Sequence, residues 1–575
     1  MKNYSQKESK KVVSIDKTHT KGPKKMTVIC PSPESILSLT KKLCSIPSVS
    51  GRAEEENRVA QVLYETLTEI QPTQGNTLTA EIFACEGDRL GRKAVWALLR
   101  PAEKTERTVL LTGHFDVVDV QGPLADLAFS PDAYTEALAD VNLPDEVRED
   151  LESGNWLFGR GVMDMKSGLA IFIETMRVLA QSPDLKINIA FLAVPDEESD
   201  SAGMRGSLTK LCAIRDEQAL DFVAALTGEP CFWTAGKSPA RPYYTGTTGK
   251  IMPYFLCVGQ ESHVNDYVEG ANAALIAADV VRLLEGNKAF ICGKGSDTLP
   301  PPTCLSCQTR VATYSVSLPA KAVCYFNVLS DHATPGDILN DLKDIANEVL
   351  LDSCKQMRKT ALELALKGAD VPITEKKGRV LTYKDLVETA EQKLGGRKEF
   401  ARQQKAFLQT LDSKTDMREA AIRVSEWVLE ESGLQGPAIV LGFLPPYYPS
   451  RFNGGRKAKE RALKRIIQEQ AARGGVLAGD GAVTIQKVFG GITDLSYLGF
   501  QGQKSGLTAL KDNMPGWGEL YSLPMKELLS LDVPIANMGP AGKDAHKATE
   551  RLELNYSLKI APQLLLETIE KLSRK

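Results

Sequence analysis

The chain has 575 residues, of which 43% are hydrophobic and 25% are charged, a composition typical of a globular protein. Its net charge of −3 and pI near 6.1 give no electrostatic reason to expect nucleic acid or an anionic membrane as a partner. Small soluble substrates remain open, and the sequence contains no apolar run of about 18 residues that could cross a bilayer.

Residues 1–26 are lysine-rich and polar and have no apolar segment of the kind found in secretory signals. We expect a disordered basic arm there, with binding to something acidic as the alternative. The eleven cysteines are odd in number and scattered, which favours a reducing cytoplasm over a disulfide framework. Cys304 and Cys307 resemble half of a zinc knuckle, but without a second Cys/His pair nearby we interpret them as ordinary thiols.

The first half of the chain alternates predicted strands and helices. Apolar runs predict strands at 93–99, 108–113, 187–195 and 221–228, and the periodic stretch 163–181 predicts a helix. This order is typical of an α/β sheet with helices on its faces. Because the chain is too long for one ordinary core, a second domain or a large insertion is expected.

The pattern changes near residue 248. A strand (250–259), a helix (270–286), a second strand (321–329) and a helix opened by Pro335 precede a charged, mostly helical stretch. From residue 436 an apolar strand, a basic helix near 456–472 and a strand at 482–489 restore the first pattern. The sequence therefore predicts one catalytic domain, built from 27–247 and 436–575, that is split by an inserted α+β lid at 248–435.

Acidic and imidazole side chains follow successive predicted strands. His114 and Asp116 end one strand, Glu197 and Glu198 follow the next, and Glu229 follows a third. Because the carboxyl ends of parallel strands share one edge, these side chains are expected to meet in a common pocket. Residues 114 and 116 lie on the same face of a strand, so Asp116 can accept the second N–H of the imidazole and fix its tautomer.

Two further candidates lie outside the strands, and each candidate also has an ordinary explanation. Asp164 is in a Gly-rich turn that enters a helix, where a helix N-cap is the common role, and His546 is in a loop near the C-terminus. A lone histidine at a strand end, such as His114, is more often structural than a ligand. The adjacent glutamates could form a solvated acidic loop.

Taken together, two histidines and three carboxylates form a plausible ligand set for a pair of divalent cations of the zinc type. Two ions about 3.5 to 4 Å apart need a bridging ligand, which a carboxylate provides. Neighbouring side chains do not usually reach one point, so one of the paired glutamates can bind an ion while the other acts as a general base.

The motifs GHFD, GRGVMDMK, PDEES, GEP and HKATE resemble those of the M20 family of dinuclear zinc peptidases and deacylases. The resemblance covers most of 35–260 and 480–570, and it implies a zinc-aminopeptidase-like mixed sheet flanked by helices, with an inserted lid and dimerisation domain. It further implies a bridging Asp164 between two ions, zinc or else cobalt or manganese. The remaining ligands would be His114 and Glu229 on one ion, and Glu198 and His546 on the other.

The same resemblance implies three further roles. Glu197 would be the general base. His263 would reach across a homodimer from the partner's lid and stabilise the oxyanion. Asp494, in the segment FGGITDLSYLG, would shape the substrate pocket, with structural packing of that turn as the alternative.

Within the family, the motifs are most similar to the arginine-utilisation branch of RocB-like proteins. This similarity implies a cytoplasmic amidohydrolase that acts on a small N-acyl amino acid or peptide-like substrate in arginine or related amino-acid catabolism. The alternative is a non-catalytic metal- or ligand-binding regulatory protein on the same fold. One departure concerns the lid strand, where Asn327 and Leu329 replace an aspartate-x-arginine pattern that would bind a substrate carboxylate; His332 could be a polar substitute but is more simply a loop histidine.

Overall fold

The computed structural model describes residues 29–232, 241–311, 315–373, 375–412, 414–479 and 483–574. For Phe232 and Ser296 it describes the main chain only. The predicted basic arm, 1–26, lies outside the described residues. None of the helices in these ranges is long and apolar enough to cross a membrane.

The strands, in chain order, are β1 Thr77–Ala84, β2 Lys93–Arg100, β3 Arg107–His114, β4 Trp156–Phe158, β5 Asn188–Val194, β6 Asp221–Thr227, β7 Cys231–Phe232, β8 Arg241–Tyr244, β9 Gly246–Thr247, β10 Gly249–Val258, β11 Thr303–Thr309, β12 Lys321–Ser330, β13 Arg379–Thr382, β14 Ala438–Tyr448, β15 Arg451–Phe452, β16 Val483–Gln486, β17 Ile535–Asn537, β18 Ala541–Lys543 and β19 Arg551–Glu553.

The helices are α1 Pro33–Cys44, α2 Ala53–Thr68, α3 Pro131–Ala137, α4 Asp145–Glu152, α5 Lys166–Ala180, α6 Ala202–Glu217, α7 Ala273–Leu284, α8 Pro335–Leu366, α9 Tyr383–Lys393, α10 Arg397–Gln409, α11 Met417–Ser432, α12 Ala458–Ala478, α13 Lys504–Asp512, α14 Met525–Ser530 and α15 Ala561–Ser573.

The larger sheet is mixed and has the strand order β1-β2-β5-β3-β6-β17-β8-β16. Its middle strands β5, β3, β6 and β17 run parallel, so the ends of β5, β3 and β6 meet at one edge. The four strands predicted in the first half of the chain are confirmed as β2, β3, β5 and β6. The predicted helix is α5, which begins at Lys166 with Met165 as its N-cap residue, so Asp164 lies in the turn before the helix and is not its N-cap.

Both faces of this sheet are covered, which explains why its strands are continuous apolar runs rather than alternating ones. One hydrophobic cluster joins one face to α1, α2, α5, α12 and α15. A second cluster joins the other face to α6 and continues into the inserted segment. The α/β fold with an inserted domain is thereby confirmed.

The inserted segment forms a second sheet of five strands in the order β11-β12-β10-β14-β13. Helices α7 and α8 pack on one face, and α9 and α11 pack on the other. The predicted boundary at residue 436 differs from this arrangement, since β14 pairs antiparallel with β10, for example Leu441 with Phe255. An apolar strand has the same sequence pattern in either sheet, so only the strand with which it forms hydrogen bonds shows to which sheet it belongs.

Two other small sheets complete the fold. The four-stranded sheet β4-β19-β18-β7 connects the loop after β3 with the C-terminal segment, and β15 pairs with β9. The strand predicted at 482–489 is β16, which returns to the larger sheet beside β8. The C-terminal segment therefore reaches the edge where β3, β5 and β6 end.

Gly168, in the first turn of α5, allows this helix to approach the end of β6. A Cβ at this position would lie 2.3 Å from the carbonyl oxygen of Gly228, a main-chain atom that cannot move aside easily. We expect Gly168→Ala to lower the free energy of unfolding by about 1–3 kcal/mol in a denaturant titration. Gly454→Ala is the control, because the nearest atom to its Cβ would be 4.0 Å away. Equal stability of the two variants would contradict the close packing of α5 on β6.

Candidate metal centre

His114 ends β3 and is 1% exposed. Its Nδ1 donates a hydrogen bond to the main-chain carbonyl oxygen of Asp116 at 3.0 Å. A carbonyl can only accept, so this contact places the proton of the neutral imidazole on Nδ1 and leaves the Nε2 lone pair free. The buried Nε2 has no hydrogen-bond partner in the described structure, which is the geometry expected of a metal ligand.

The carboxylate of Asp116 has a different role from the one expected. It lies 3.5 Å from Nδ1 of His114, farther than the carbonyl oxygen of the same residue. Instead it accepts hydrogen bonds from the Ser50 hydroxyl at 2.6 Å and from the main-chain N–H groups of Glu197 and Glu198 at 3.0 and 3.1 Å. Asp116 therefore orients both the imidazole and the loop that carries the paired glutamates.

Asp164 lies between the two histidines. Its Oδ1 is 3.3 Å from Nε2 of His114, and its Oδ2 is 3.2 Å from Nε2 of His546. The two oxygens of one carboxylate thus face two different imidazoles, as a bridging ligand requires. His546 is half exposed and has a φ of +68°, a left-handed conformation that is uncommon for a residue with a side chain.

The three glutamates complete the cluster. Glu229 Oε1 and Glu197 Oε2 lie 3.5 and 3.8 Å from Nε2 of His114. Glu198 Oε1 is instead 3.0 Å from Nε2 of His546. The adjacent glutamates therefore point to opposite ends of the cluster, and the structure brings together all five of the predicted ligand residues.

Glu550 belongs to the candidate site, and its contacts there were not predicted from the sequence. Its Oε1 accepts hydrogen bonds from the main-chain N–H groups of Gly161, Met163 and Asp164 at 2.8, 3.3 and 3.4 Å, and its other oxygen pairs with Arg160. Arg160 also donates to the carbonyl oxygen of His546 at 3.1 Å. The pair thus connects the turn of Asp164 to the loop of His546. Both residues lie within motifs already noted, GRGVMDMK and HKATE, which was the available signal.

The charges of the cluster favour a cation. Burial and the nearby Asp164 carboxylate raise the pKa of Glu198 to about 7. Burial opposes a charge on His114, but Glu229 and Glu197 outweigh it and raise the His114 pKa well above its usual range. Carboxylates crowded in a buried site repel one another, and a divalent cation relieves this repulsion. The donor set of imidazole nitrogens and carboxylate oxygens fits zinc, manganese or cobalt.

A cavity of about 260 Å³ opens over this cluster. Phe489, Gly491 and Ile492 form part of its wall, whereas Asp494 of the same segment is buried beneath, at 3% exposed. Burial raises the pKa of Asp494 to about 7. The role of Asp494 in shaping the pocket therefore stays a prediction. Asp494 would act indirectly, by holding the loop that forms the wall.

His263 is not brought to this cluster within one chain. It is exposed on the insert, where its Nδ1 accepts a hydrogen bond from the N–H of Asn265 at 3.3 Å. Its described contacts are with its own turn and, through a β-bridge, with Ser317. The expected role of His263 in catalysis therefore stays a prediction.

Comparison with known proteins identifies the family. Residues 110–571 match the model of peptidase family M20/M25/M40. The chain is a member of this family. It is therefore a hydrolase of the metal-dependent amidohydrolase kind, and the cluster described above is its candidate metal centre.

Two full-length relatives come from Bacillus subtilis strain 168. The chain is 31% identical to the uncharacterised protein YqjN over 94% of this chain and 96% of the relative. It is 27% identical to protein RocB over 93% and 94% of the two chains. A tripeptidase from Staphylococcus aureus has a similar fold, with a TM-score of 0.51 and 15% identity over 95% of this chain and all of the other.

Metal affinity of this M20 protein is expected to rise with pH. Hydrogen bonds to Asp164 and Glu198 raise the pKa of His546 to about 10, so this imidazole is protonated at neutral pH in the metal-free protein. A raised pKa means that a proton must leave before a metal can bind. Each displaced proton makes the affinity rise roughly tenfold per pH unit below the pKa.

A zinc titration against a competing chelator at pH 6, 7 and 8 measures this slope. His546→Ala should reduce the slope, whereas the control His332→Ala, on a histidine that lies against Phe452, should keep it. An affinity that is independent of pH in the parent protein would contradict the protonation of the cluster.

Proposed function

We propose that this protein hydrolyses the amide bond of a small N-acyl amino acid or peptide-like substrate with two divalent metal ions, most simply zinc. The observation that carries the proposal is Asp164, whose two oxygens each face a different histidine nitrogen at 3.2 to 3.3 Å. One ion would be held by His114, Asp164 and Glu229, and the other by Asp164, Glu198 and His546. Ions bound in this way would supply Lewis-acid activation of a water molecule and of the scissile carbonyl.

Glu197 is proposed as the general base. It lines the cavity, and burial together with the nearby Glu229 raises its pKa well above its usual range, despite the opposing effect of His114. A carboxylate with a raised pKa is a better proton acceptor. Glu197 would take a proton from the attacking water and pass it to the leaving amine as the carbon–nitrogen bond breaks.

We further propose a homodimer in which the partner contributes His263 to stabilise the developing oxyanion. The exposure of His263 on the insert, away from the cluster of its own chain, supports this proposal. The similarity to RocB and the motifs of the arginine-utilisation branch support a role in arginine or related amino-acid catabolism. The scattered cysteines, eleven in number, support the cytoplasm as its compartment.

The proposed activity is tested with a panel of N-acyl amino acids and dipeptides that includes arginine and ornithine derivatives, with and without added zinc, cobalt or manganese. We expect metal-dependent release of an amino acid by the parent protein. Glu197→Gln should keep the metal content and lower kcat by at least about 100-fold, because proton transfer is lost. Glu217→Gln, at the exposed end of α6, is the matched control. Near-normal turnover by Glu197→Gln would show that the base is another residue.

The dimer is tested by mixing two inactive variants, His263→Ala and Glu197→Gln. Exchange of subunits would create mixed dimers in which one site has both an intact base and an intact partner histidine. About a quarter of all sites would then be complete, and activity should recover to that level. No recovery after confirmed subunit exchange would show that His263 does not act across subunits.

A further inference from the structure

Lys250 is a charged residue of the cavity that the ligand set and the general base leave unexplained. It is the second residue of β10 and therefore belongs to the sheet of the insert, where it stands opposite Leu329 of β12 and Tyr448 of β14. Its side chain nevertheless lines the cavity over the candidate metal centre. The insert thus contributes to the pocket of its own chain.

The ammonium group of Lys250 has no partner within the described residues. It makes no hydrogen bond or ion pair there, and its Nζ lies 6.0 Å from the centre of the Tyr448 ring in a cation–π contact. Asp200 already pairs with Arg418 at 3.2 Å, and Glu197 lies near His114. Both carboxylates close to Lys250 are therefore engaged elsewhere.

A partly buried ammonium that makes no hydrogen bond or ion pair is costly, because it has lost part of its hydration without gaining a direct polar partner. Burial lowers the pKa of Lys250, and the nearby guanidinium of Arg418 lowers it further, while Asp200 and Glu197 act in the opposite direction. An anion that entered the cavity would satisfy the ammonium and favour its charged form.

The distribution of charge in the cavity gives that anion one orientation. Asp164, Glu197, Glu198 and Glu229 make one side of the cavity acidic, whereas Lys250 is the only lysine or arginine among the described residues that line it. Metal ions bound to these carboxylates would balance their charge, and Lys250 would then be the cation available to a negatively charged group of the substrate. The uncharged amide would then face the metal centre.

We propose that Lys250 binds a free carboxylate of the substrate and so selects N-acyl amino acids over their uncharged amides. This inference rests on the proposed function for the substrate class, but it concerns binding and can be measured without turnover. The size of the cavity, about 260 Å³, suits a substrate with the dimensions of a modified amino acid.

The test uses zinc-loaded Glu197→Gln protein, in which hydrolysis is blocked. N-acetyl-L-arginine, N-acetyl-L-ornithine and N-acetyl-L-alanine are titrated by calorimetry, each beside its C-terminal carboxamide. We expect at least one free acid to bind at least tenfold more tightly than its carboxamide. Adding Lys250→Met should weaken binding of that acid by roughly 10- to 100-fold, the value of a hydrogen bond to a charged group, and leave the carboxamide unchanged.

Lys321→Met is the matched control, since Lys321 lies in the same sheet on β12 and pairs with Glu430 at 3.1 Å. Zinc content is measured for every variant. Three outcomes overturn the inference: no member of the panel binds, acid and carboxamide bind alike, or the preference for acid persists in Lys250→Met and so arises from the metals. If the preference depends on Lys250 but the parent protein cleaves no member, the inference stands and the proposed hydrolysis fails.

Kinetics of the parent protein and its Lys250→Met variant separate this role from stabilisation of the oxyanion. Loss of carboxylate binding should raise KM for the acid by roughly 10- to 100-fold with a smaller change in kcat. A lower kcat at unchanged KM would place Lys250 at the reacting carbonyl and overturn its assignment to the substrate carboxylate.

Discussion

The main constraint on this structure is the negative charge of the acidic groups buried at one edge of the larger sheet, which repel one another and must be balanced. The parallel strands β3, β5 and β6 end there and place Asp116, Glu197 and Glu229 beside His114. Part of this charge is balanced within the chain, where Arg160 pairs with Glu550 and where main-chain N–H groups donate to Asp116 and Glu550. The remaining negative charge is the reason to expect cations, and the paired arrangement around Asp164 is the reason to expect two.

Hydrogen bonds from side chains to the main chain explain how distant segments form one site. Asp116 fixes the loop of the paired glutamates, while Glu550 fixes the turn of Asp164 through three main-chain contacts. Arg160 extends this contact to the loop of His546, which is separated from it by nearly four hundred residues of chain. Removing any of these supports would move a ligand without altering the ligand set itself, so metal affinity and activity should be sensitive to residues that touch neither metal nor substrate.

Much of this arrangement follows from the sequence. Apolar runs that end in polar residues predicted the strand positions and five of the candidate site residues, because parallel strands must deliver their ends to one edge. The assignment of β14 to a sheet and the partner of the Asp116 carboxylate could not be predicted, since both depend on pairing between distant segments. Likewise, the sequence showed that Leu329 lacks a charge, but only the strand register shows that Lys250 stands directly opposite.

The central claim is a two-metal centre bridged by Asp164. Anomalous X-ray diffraction from zinc-soaked crystals, recorded above and below the zinc absorption edge, tests it most directly. Two peaks about 3.5 to 4 Å apart, one beside His114 and one beside His546, with the Asp164 carboxylate between them, are the expected result. A single peak, or zinc bound only at Cys304 and Cys307, would contradict the proposed centre.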